Sequence, residues 1–298
     1  MKKNSVFAWF LATRPKTLVA GIVPVLIGTG LAYRNGCFQA MPAIFCLLFA
    51  VFAQITANLV NDYFDFKNGF DKMENRLGPT RALTAGWIDP SKMKIGFSLT
   101  FALSCLFGLG LIPYGGMEMI YVGIFALIFC ILYSGGPFPL SALALGDLLV
   151  LIFFGIVAVC FTYFVQAAKF SWELIPLSLS VGLAIDNILV SNNYRDREVD
   201  RQAHKLTTIS IFGERFGRFF YLINGLLVCA FLIYYFSVDN AFQAWTFFLP
   251  LIYFLFHIRA WILLNRIRQG KQLNRILELS AKNVMILALL CLIGLIWG

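Results

Sequence analysis

Charge is scarce in this 298-residue sequence: Asp, Glu, Lys and Arg together make up 13%, about half the share of a typical soluble domain. No two cysteines have the CxxC spacing, no cleavable signal is apparent, and no apolar run alternates every second residue. These shortages exclude a disordered chain, a coiled coil, a secreted disulfide scaffold and a membrane β-barrel. What is abundant is apolar surface. Hydrophobic residues reach 60% with 31 Phe, and the mean hydropathy is +0.79. A water-soluble globule of this size cannot hide so much, so the sequence reads as an all-α polytopic membrane protein. Six of the seven cysteines (Cys46, Cys105, Cys130, Cys160, Cys229 and Cys291) lie in apolar runs, with Cys37 apart. They read as small buried hydrophobes.

A helix needs about 20 apolar residues to cross the hydrocarbon core. Nine spans are expected: Thr17–Tyr33, Ala40–Asn61, Ile95–Pro113, Met119–Tyr133, Asp147–Ala168, Trp172–Asn193, Phe219–Val238, Ala244–Leu264 and Ala281–Trp297. Met119–Tyr133 is short. Val6–Ala12 is shorter still and is followed by Arg14 and Lys16. Residues 1–16 therefore read as an interfacial segment with Phe7, Trp9 and Phe10 towards lipid. The whole chain, 1–298, reads as one transmembrane domain with connecting motif loops at 62–94 and 194–218.

Basic residues fix the expected orientation. With the N-terminus inside, 22 of the 24 Lys and Arg residues fall on cytoplasmic segments, and only Arg34 and Lys169 fall outside. The net charge of +9 is thus a topogenic signal, and no nucleic-acid partner is expected.

The acids are clustered. Span 2 ends in Asn58-Leu-Val-Asn61-Asp62-Tyr-Phe-Asp65, with Asp71 beyond, and span 6 ends in Asn192-Asn193-Tyr-Arg195-Asp196-Arg-Glu-Val-Asp200. In helical register Asn58, Asp62 and Asp65 share one face, as do Asn193, Asp196 and Asp200. Both clusters are expected at the cytoplasmic ends of parallel spans, second in successive blocks of four, which suggests an internal duplication. Carboxylates and carboxamides converging at a membrane mouth suit Mg²⁺, which typically binds one or two carboxylates plus substrate phosphate oxygens. Arg76, Arg81, Arg195, Arg201 and Lys205 are at hand to neutralise the remaining oxygens. Asp186 lies about ten residues inside span 6, where a carboxylate costs roughly 2.5–3.5 kcal/mol unless paired or hydrated. Its register with Asn193 points it at the same cavity. Gln54, one turn before Asn58, is a weaker polar candidate.

These residues resemble the UbiA superfamily of intramembrane aromatic prenyltransferases, and within it the 1,4-dihydroxy-2-naphthoate polyprenyltransferase branch. The resemblance covers nearly the whole chain. It rests on Arg14-Pro-Lys16-Thr-Leu18, on Asn61-Asp62-Tyr-Phe-Asp65 followed by Asp71, on Arg76–Gly86, on Tyr133-Ser-Gly-Gly-Pro137, on Leu145-Gly-Asp147, and on Asn192–Asp196 with Asp200, Arg201 and Lys205. The chain departs from the pattern at His204, where the family often has Gly, and Asp186 matches no motif position.

The resemblance implies a nine-helix bundle in the bacterial cytoplasmic membrane with a central cavity open to the cytoplasm. It implies transfer of a polyprenyl group from polyprenyl diphosphate to 1,4-dihydroxy-2-naphthoate with loss of CO₂ and diphosphate, in menaquinone biosynthesis. Asn58, Asp62 and Asp65 would hold one Mg²⁺, and Asp196 and Asp200 another, with Asn61 and Asn193 beside them. Lys16, Arg81, Arg195 and Lys205 would bind diphosphate oxygens or the acceptor carboxylate, and Tyr133 and Asp147 would close the pocket. A 4-hydroxybenzoate-type acceptor is the nearer rival, argued against by the Asp71 spacing. A cation-coupled transporter is the rival from another class, and a single deep acid argues against it.

Overall fold

The computed structural model describes residues 2–69, 77–136, 138–238 and 243–298. Apolar runs bounded by polar or proline residues have become long helices. α1 is Val6–Ala12, α2 Pro15–Arg34, α3 Ala40–Lys67, α4 Pro90–Leu109, α5 the single turn Ile112–Gly115, and α6 Glu118–Leu132. α7 (Gly146–Val150) runs through a π-helical stretch, Leu151–Val157, into α8 (Ala158–Ala167). α9 is Leu174–Gln202, α10 Thr208–Val238, α11 Phe248–Arg266 and α12 Asn274–Trp297. Among the described residues no strand forms beyond one isolated bridge, Leu143 to Leu206.

Among the described residues, eight helical segments are long and apolar enough to span a membrane; this is an integral, multi-pass membrane protein. The expected ninth span is α6, and it is the short one. Its 15 residues rise about 22 Å, against a hydrocarbon core of about 30 Å. The stretch expected as Ile95–Pro113 is broken at Gly110 into α4 and α5. The two motif regions are also more helical than expected, because α3 continues to Lys67 and α9 to Gln202. The acidic clusters are therefore held on rigid helix ends. α10 starts at Thr208 and breaks at Gly213, whose φ of 87° suits only glycine.

α9 is the centre of the bundle: 78% of its most apolar window is buried, against 11% for α4. It packs on α10, α12, α2 and the π-helical stretch. Gly155 and Gly182 meet there, and a Cβ on Gly155 would come within 2.9 Å of the Ser178 carbonyl. Polar cross-links fasten both ends of the bundle. At one end Arg14 bonds Asn61, Lys16 bonds Glu278 and Arg195 bonds Asn274. At the other, Asn35 bonds Tyr163 and Gln39 bonds Gln166. The starts of α2 and α12 and the ends of α3 and α9 thus share one end, as the alternating spans require.

The segment before α2 is stitched to the connection between α3 and α4. Asn4 donates its backbone N–H to the Trp87 carbonyl at 2.7 Å and its carboxamide to Asp89 at 2.8 Å. Lys3 pairs with Asp89 at 2.5 Å. Hydrogen bonds from Lys3 and Asn4 hold the Asp89 carboxyl below the usual carboxylate range.

Candidate active site

A cavity of about 940 Å³ runs into the bundle from the end where α3 and α9 finish. Its mouth is lined by Arg14, Lys16, Asp62, Asp65, Arg81, Asp196, Asp200 and Lys205, and its depth by apolar residues of α2, α3, α4, α6 and α8. The two acidic clusters, more than 130 residues apart in sequence, do converge. Asp200 lies close enough to Asp196 and to Asp65 of the other cluster to feel both charges.

On α3 the side chains are already committed to other elements. Asp62 is 1% exposed and accepts the backbone N–H groups of Ala82 (3.0 Å) and Leu83 (3.5 Å). Residues 81–87 form one helical turn closed by Gly86 in the left-handed region, and Asp62 receives that turn's orphan donors as a capping carboxylate does. Asp65 accepts from Arg81 at 3.1 Å. Asn58 donates to the Thr13 carbonyl (2.8 Å) and to Thr17 (3.0 Å), with Gln54 at 3.5 Å from its oxygen. Asn61 accepts from Arg14 at 2.8 Å and donates to Ser134 at 2.9 Å.

Arg14 was legible only as part of a motif; the structure puts it in the mouth. Its left-handed backbone, φ 51°, turns the guanidinium onto Asn61. Burial lowers its pKa from the ordinary arginine value, opposed by the charges of Asp62 and Asp65, and guanidinium remains a cation regardless. Lys16, expected to bind substrate, is 71% exposed at the rim and pairs with Glu278 at 2.5 Å.

On α9, Arg195 is 4% exposed and four of its five donors are spent on protein groups. It reaches Asp196 through Nε (2.7 Å) and Nη2 (2.5 Å), Asn192 (2.7 Å) and Asn274 (2.9 Å). It also lies flat against Gly78, where a Cβ would meet the guanidinium at 2.7 Å. Arg195 therefore aims Asp196 and braces the mouth. Lys205 stands 3.9 Å from Asp200, and Asn193 is buried on the cavity wall.

His204 explains how Lys205 gets there. It adopts φ 54°, the left-handed conformation that favours glycine. The Lys205 N–H then bonds the Asp200 carbonyl at 2.8 Å, closing the end of α9. The next residues tie Leu206 to Ala142 and Ala144, which brings the connection after α6 over the mouth. Tyr133 and Asp147 line the cavity there, and a Cβ on Gly146 would stand 3.4 Å from the Tyr133 hydroxyl.

Asp186 corrects an expectation. It is 1% exposed and lies behind the cavity wall, because Asn224 on α10 draws its Oδ2 into a 2.8 Å hydrogen bond. It lies near Asp147, which takes a hydrogen bond from Thr208, and each of the two carboxyls keeps a buried Oδ1 without a hydrogen-bond partner among the described residues. Asp71, Arg76 and Pro137, singled out in the sequence, lie outside the described residues.

The mouth is suited to hard cations and phosphate groups. Asp200 is 8% exposed beside two other carboxylates, with its nearest described cation 3.9 Å away. Among the described residues no three acids stand close enough to hold a metal ion unaided, so an ion here would take the rest of its shell from water and substrate oxygens.

Comparison with known proteins supplies the family. The UbiA prenyltransferase family pattern matches residues 21–281. The chain is 34% identical over 241 residues to a protein of Escherichia coli strain K12 named 1,4-dihydroxy-2-naphthoate octaprenyltransferase, covering 78% of each. It is 31% identical to the Haemophilus influenzae protein of the same name, covering 97% of this chain and 96% of that one. In fold it is similar to a UbiA homolog from Archaeoglobus fulgidus solved bound to GPP and Mg²⁺, with a TM-score of 0.66 at 14% identity over 95% of this chain and 99% of the other. With a cavity that joins two helix-borne acidic clusters to an apolar interior, this chain belongs to the UbiA prenyltransferase family.

Proposed function

We propose that this protein transfers a polyprenyl group from its diphosphate to 1,4-dihydroxy-2-naphthoate, releasing CO₂ and diphosphate, to give demethylmenaquinol for menaquinone biosynthesis. One observation carries the reading: a mouth of four carboxylates and several cations and an apolar depth form one continuous cavity of about 940 Å³. That division matches a ligand with a diphosphate head and an isoprenoid tail. Relatives bearing the name of this activity at 31–34% identity support the acceptor.

Asp65, Asp196 and Asp200 would hold Mg²⁺, with Asn58 Oδ1 as a further oxygen on the α3 face. When bound, the ion draws negative charge from the departing diphosphate. Arg14, Arg81 and Lys205 stand around the mouth to hold diphosphate oxygens. Asp62 fixes the turn that carries Arg81, and Arg195 fixes Asp196. Below Tyr133, Phe129 and Phe153 face each other at 5.1 Å, and Phe154 and Phe161 line the same space. Aromatic faces in a water-poor cavity stabilise an allylic cation as the C–O bond breaks. The electron pair of that bond leaves with diphosphate. The naphthoate ring supplies the pair for the new C–C bond at its carboxyl-bearing carbon, and loss of CO₂ returns a pair to the ring, so no net proton is consumed.

The same reading puts the mouth on the cytoplasmic face of the bacterial cytoplasmic membrane, from the basic asymmetry of the loops. A cysteine at exposed Lys271 in a Cys-free background is then protected from an impermeant maleimide in intact cells and labelled after lysis. The decisive assay incubates membranes with Mg²⁺, a polyprenyl diphosphate and either 1,4-dihydroxy-2-naphthoate or 4-hydroxybenzoate, and weighs the product. A prenylated naphthoquinol that has lost CO₂ is expected. A product from 4-hydroxybenzoate alone would overturn the acceptor assignment.

A further inference from the structure

The cavity has a definite depth. Asn61 of α3 bonds Ser134 just beyond α6, so the two parallel helices are level there. At 1.5 Å per residue, Gly123 lies about 15 Å below Tyr133 and Met119 about 21 Å below it. The floor at the level of Met119 is a buried apolar cluster of Val25, Cys46, Leu111, Met119 and Val165, all of which face the cavity. Gly123 sits about one turn above that floor.

Gly123 is unlike the other helical glycines on the wall. A Cβ on Gly21 would come 3.2 Å from the Ala50 carbonyl, on Gly108 3.2 Å from Phe49, and on Gly146 3.2 Å from Leu189. Those positions are small because protein atoms press against them. A Cβ on Gly123 meets nothing within 4 Å, although the residue lines the cavity. Its φ is not in the left-handed region, and glycine is a poor helix former. Neither backbone nor packing asks for glycine here, so what the missing side chain leaves is cavity.

The surroundings also keep this level open. α6 packs on α3, α4 and α5, while the following span stands across the cavity from it, joined by the Phe129–Phe153 ring contact one turn below Tyr133. Between that contact and the floor, the α6 wall is Val122, Gly123 and Ala126. A side chain at 123 would project into the channel with no competing neighbour.

We propose that Gly123 sets how long an isoprenoid tail this protein accepts, by leaving open the passage between the aromatic pair and the floor. The inference rests on the prenyltransferase reading above and adds to it the residue that selects among isoprenoid diphosphates. A short tail ends above Gly123 and does not sense it, whereas a long tail must pass it.

The test uses the full-length protein in lipid nanodiscs with Mg²⁺, 1,4-dihydroxy-2-naphthoate and an equimolar mixture of geranyl and octaprenyl diphosphates. The ratio of the two products by mass is kcat/KM selectivity read in one tube. For Gly123→Phe the octaprenyl-to-geranyl ratio is expected to fall at least about tenfold, with geranyl transfer near the wild-type rate. Gly123→Val falls between Phe and wild type. A ratio equal to wild type in both variants overturns the proposal. If the Phe variant folds too poorly to assay, the Val variant, read by the same measurement, decides. Wild-type protein that prenylates the naphthoate with neither donor would instead sink the function reading, so the two failures are distinct.

Discussion

Arg14 and Asn61 meet across 47 residues of sequence through a 2.8 Å hydrogen bond, and Asn61 hands the connection on to Ser134. Three segments, the start of α2, the end of α3 and the connection after α6, are thereby locked around the mouth by one carboxamide. The cation two residues away, Lys16, points to the rim and to Glu278.

That difference predicts opposite outcomes for two neighbouring basic residues. Arg14→Ala removes a cation from the mouth and frees Asn61, and kcat/KM for prenyl transfer is expected to fall by about a hundredfold, on the order of 3 kcal/mol. Lys16→Ala breaks an exposed pair of little worth and should stay within about threefold of wild type. Equal losses in both would show that the rim, and not the interior of the mouth, binds the diphosphate.

Asp62 and Asp200 separate structure from metal binding. Asp62→Ala strands two buried backbone donors, and a loss of about 1–3 kcal/mol is expected, seen as a lower melting temperature in detergent. Asp200→Asn removes a buried charge with no cation closer than 3.9 Å among the described residues, so the fold should be as stable as wild type. Its activity should drop by about a hundredfold, with a raised half-saturating Mg²⁺ concentration. Chelation by EDTA is expected to abolish wild-type activity, and added Mg²⁺ to restore it. Wild-type Mg²⁺ dependence in the Asp200 variant would remove that residue from the site.

The nearness of Asp186 to Asp147 gives a third expectation. Asp186→Asn can keep the partnership with Asn224 and offer Asp147 an N–H, so stability should change by less than about 1 kcal/mol and acceptor KM should stay near wild type. Asp186→Leu strands the buried Asn224 and is expected to cost about 1–3 kcal/mol. A large kcat loss in the Asn variant at unchanged stability would mean that Asp186 acts on the reaction through the cavity wall.

His204 offers the simplest test of backbone strain. His204→Gly fits φ 54° without a Cβ clash and should retain activity and melting temperature. His204→Val puts a β-branched residue in the left-handed region, displaces Lys205, and is expected to lower both. Equal melting points would place the origin of the turn elsewhere.

Much of the architecture was legible because apolar length and basic asymmetry are properties of the chain itself. The convergence of Asp65 with Asp196 and Asp200 was legible too, since helical register puts each set on one face. Tertiary partners decided the rest. Whether Arg14 or Lys16 enters the mouth depends on one left-handed residue before α2, which no periodicity reveals. Asp186 shares a register with Asn193 yet is drawn behind the wall by Asn224, a residue 38 positions away. Asp62 and Asn58 read as ligands by type, while their contacts with residues 82–83 and 13–17 depend on loops that carry no repeating pattern. The π-helical stretch in the fifth span holds Gly155 against Gly182, an approach that neither glycine announces alone.

The stitching of Asn4 to Trp87 and Asp89 bears on how the protein is made. The two strands of that seam are separated by 85 residues. At a translation rate of about 5–20 residues per second, the earlier half waits roughly 4–17 s for the later half to leave the ribosome. During that wait α1, with its exposed Val6, Phe7 and Phe10, has only the bilayer surface to rest on, and the two helices between the halves insert meanwhile. The earlier-made side of the seam is thus among the later parts to reach its final place, and the mouth of the cavity cannot be finished until α4 begins.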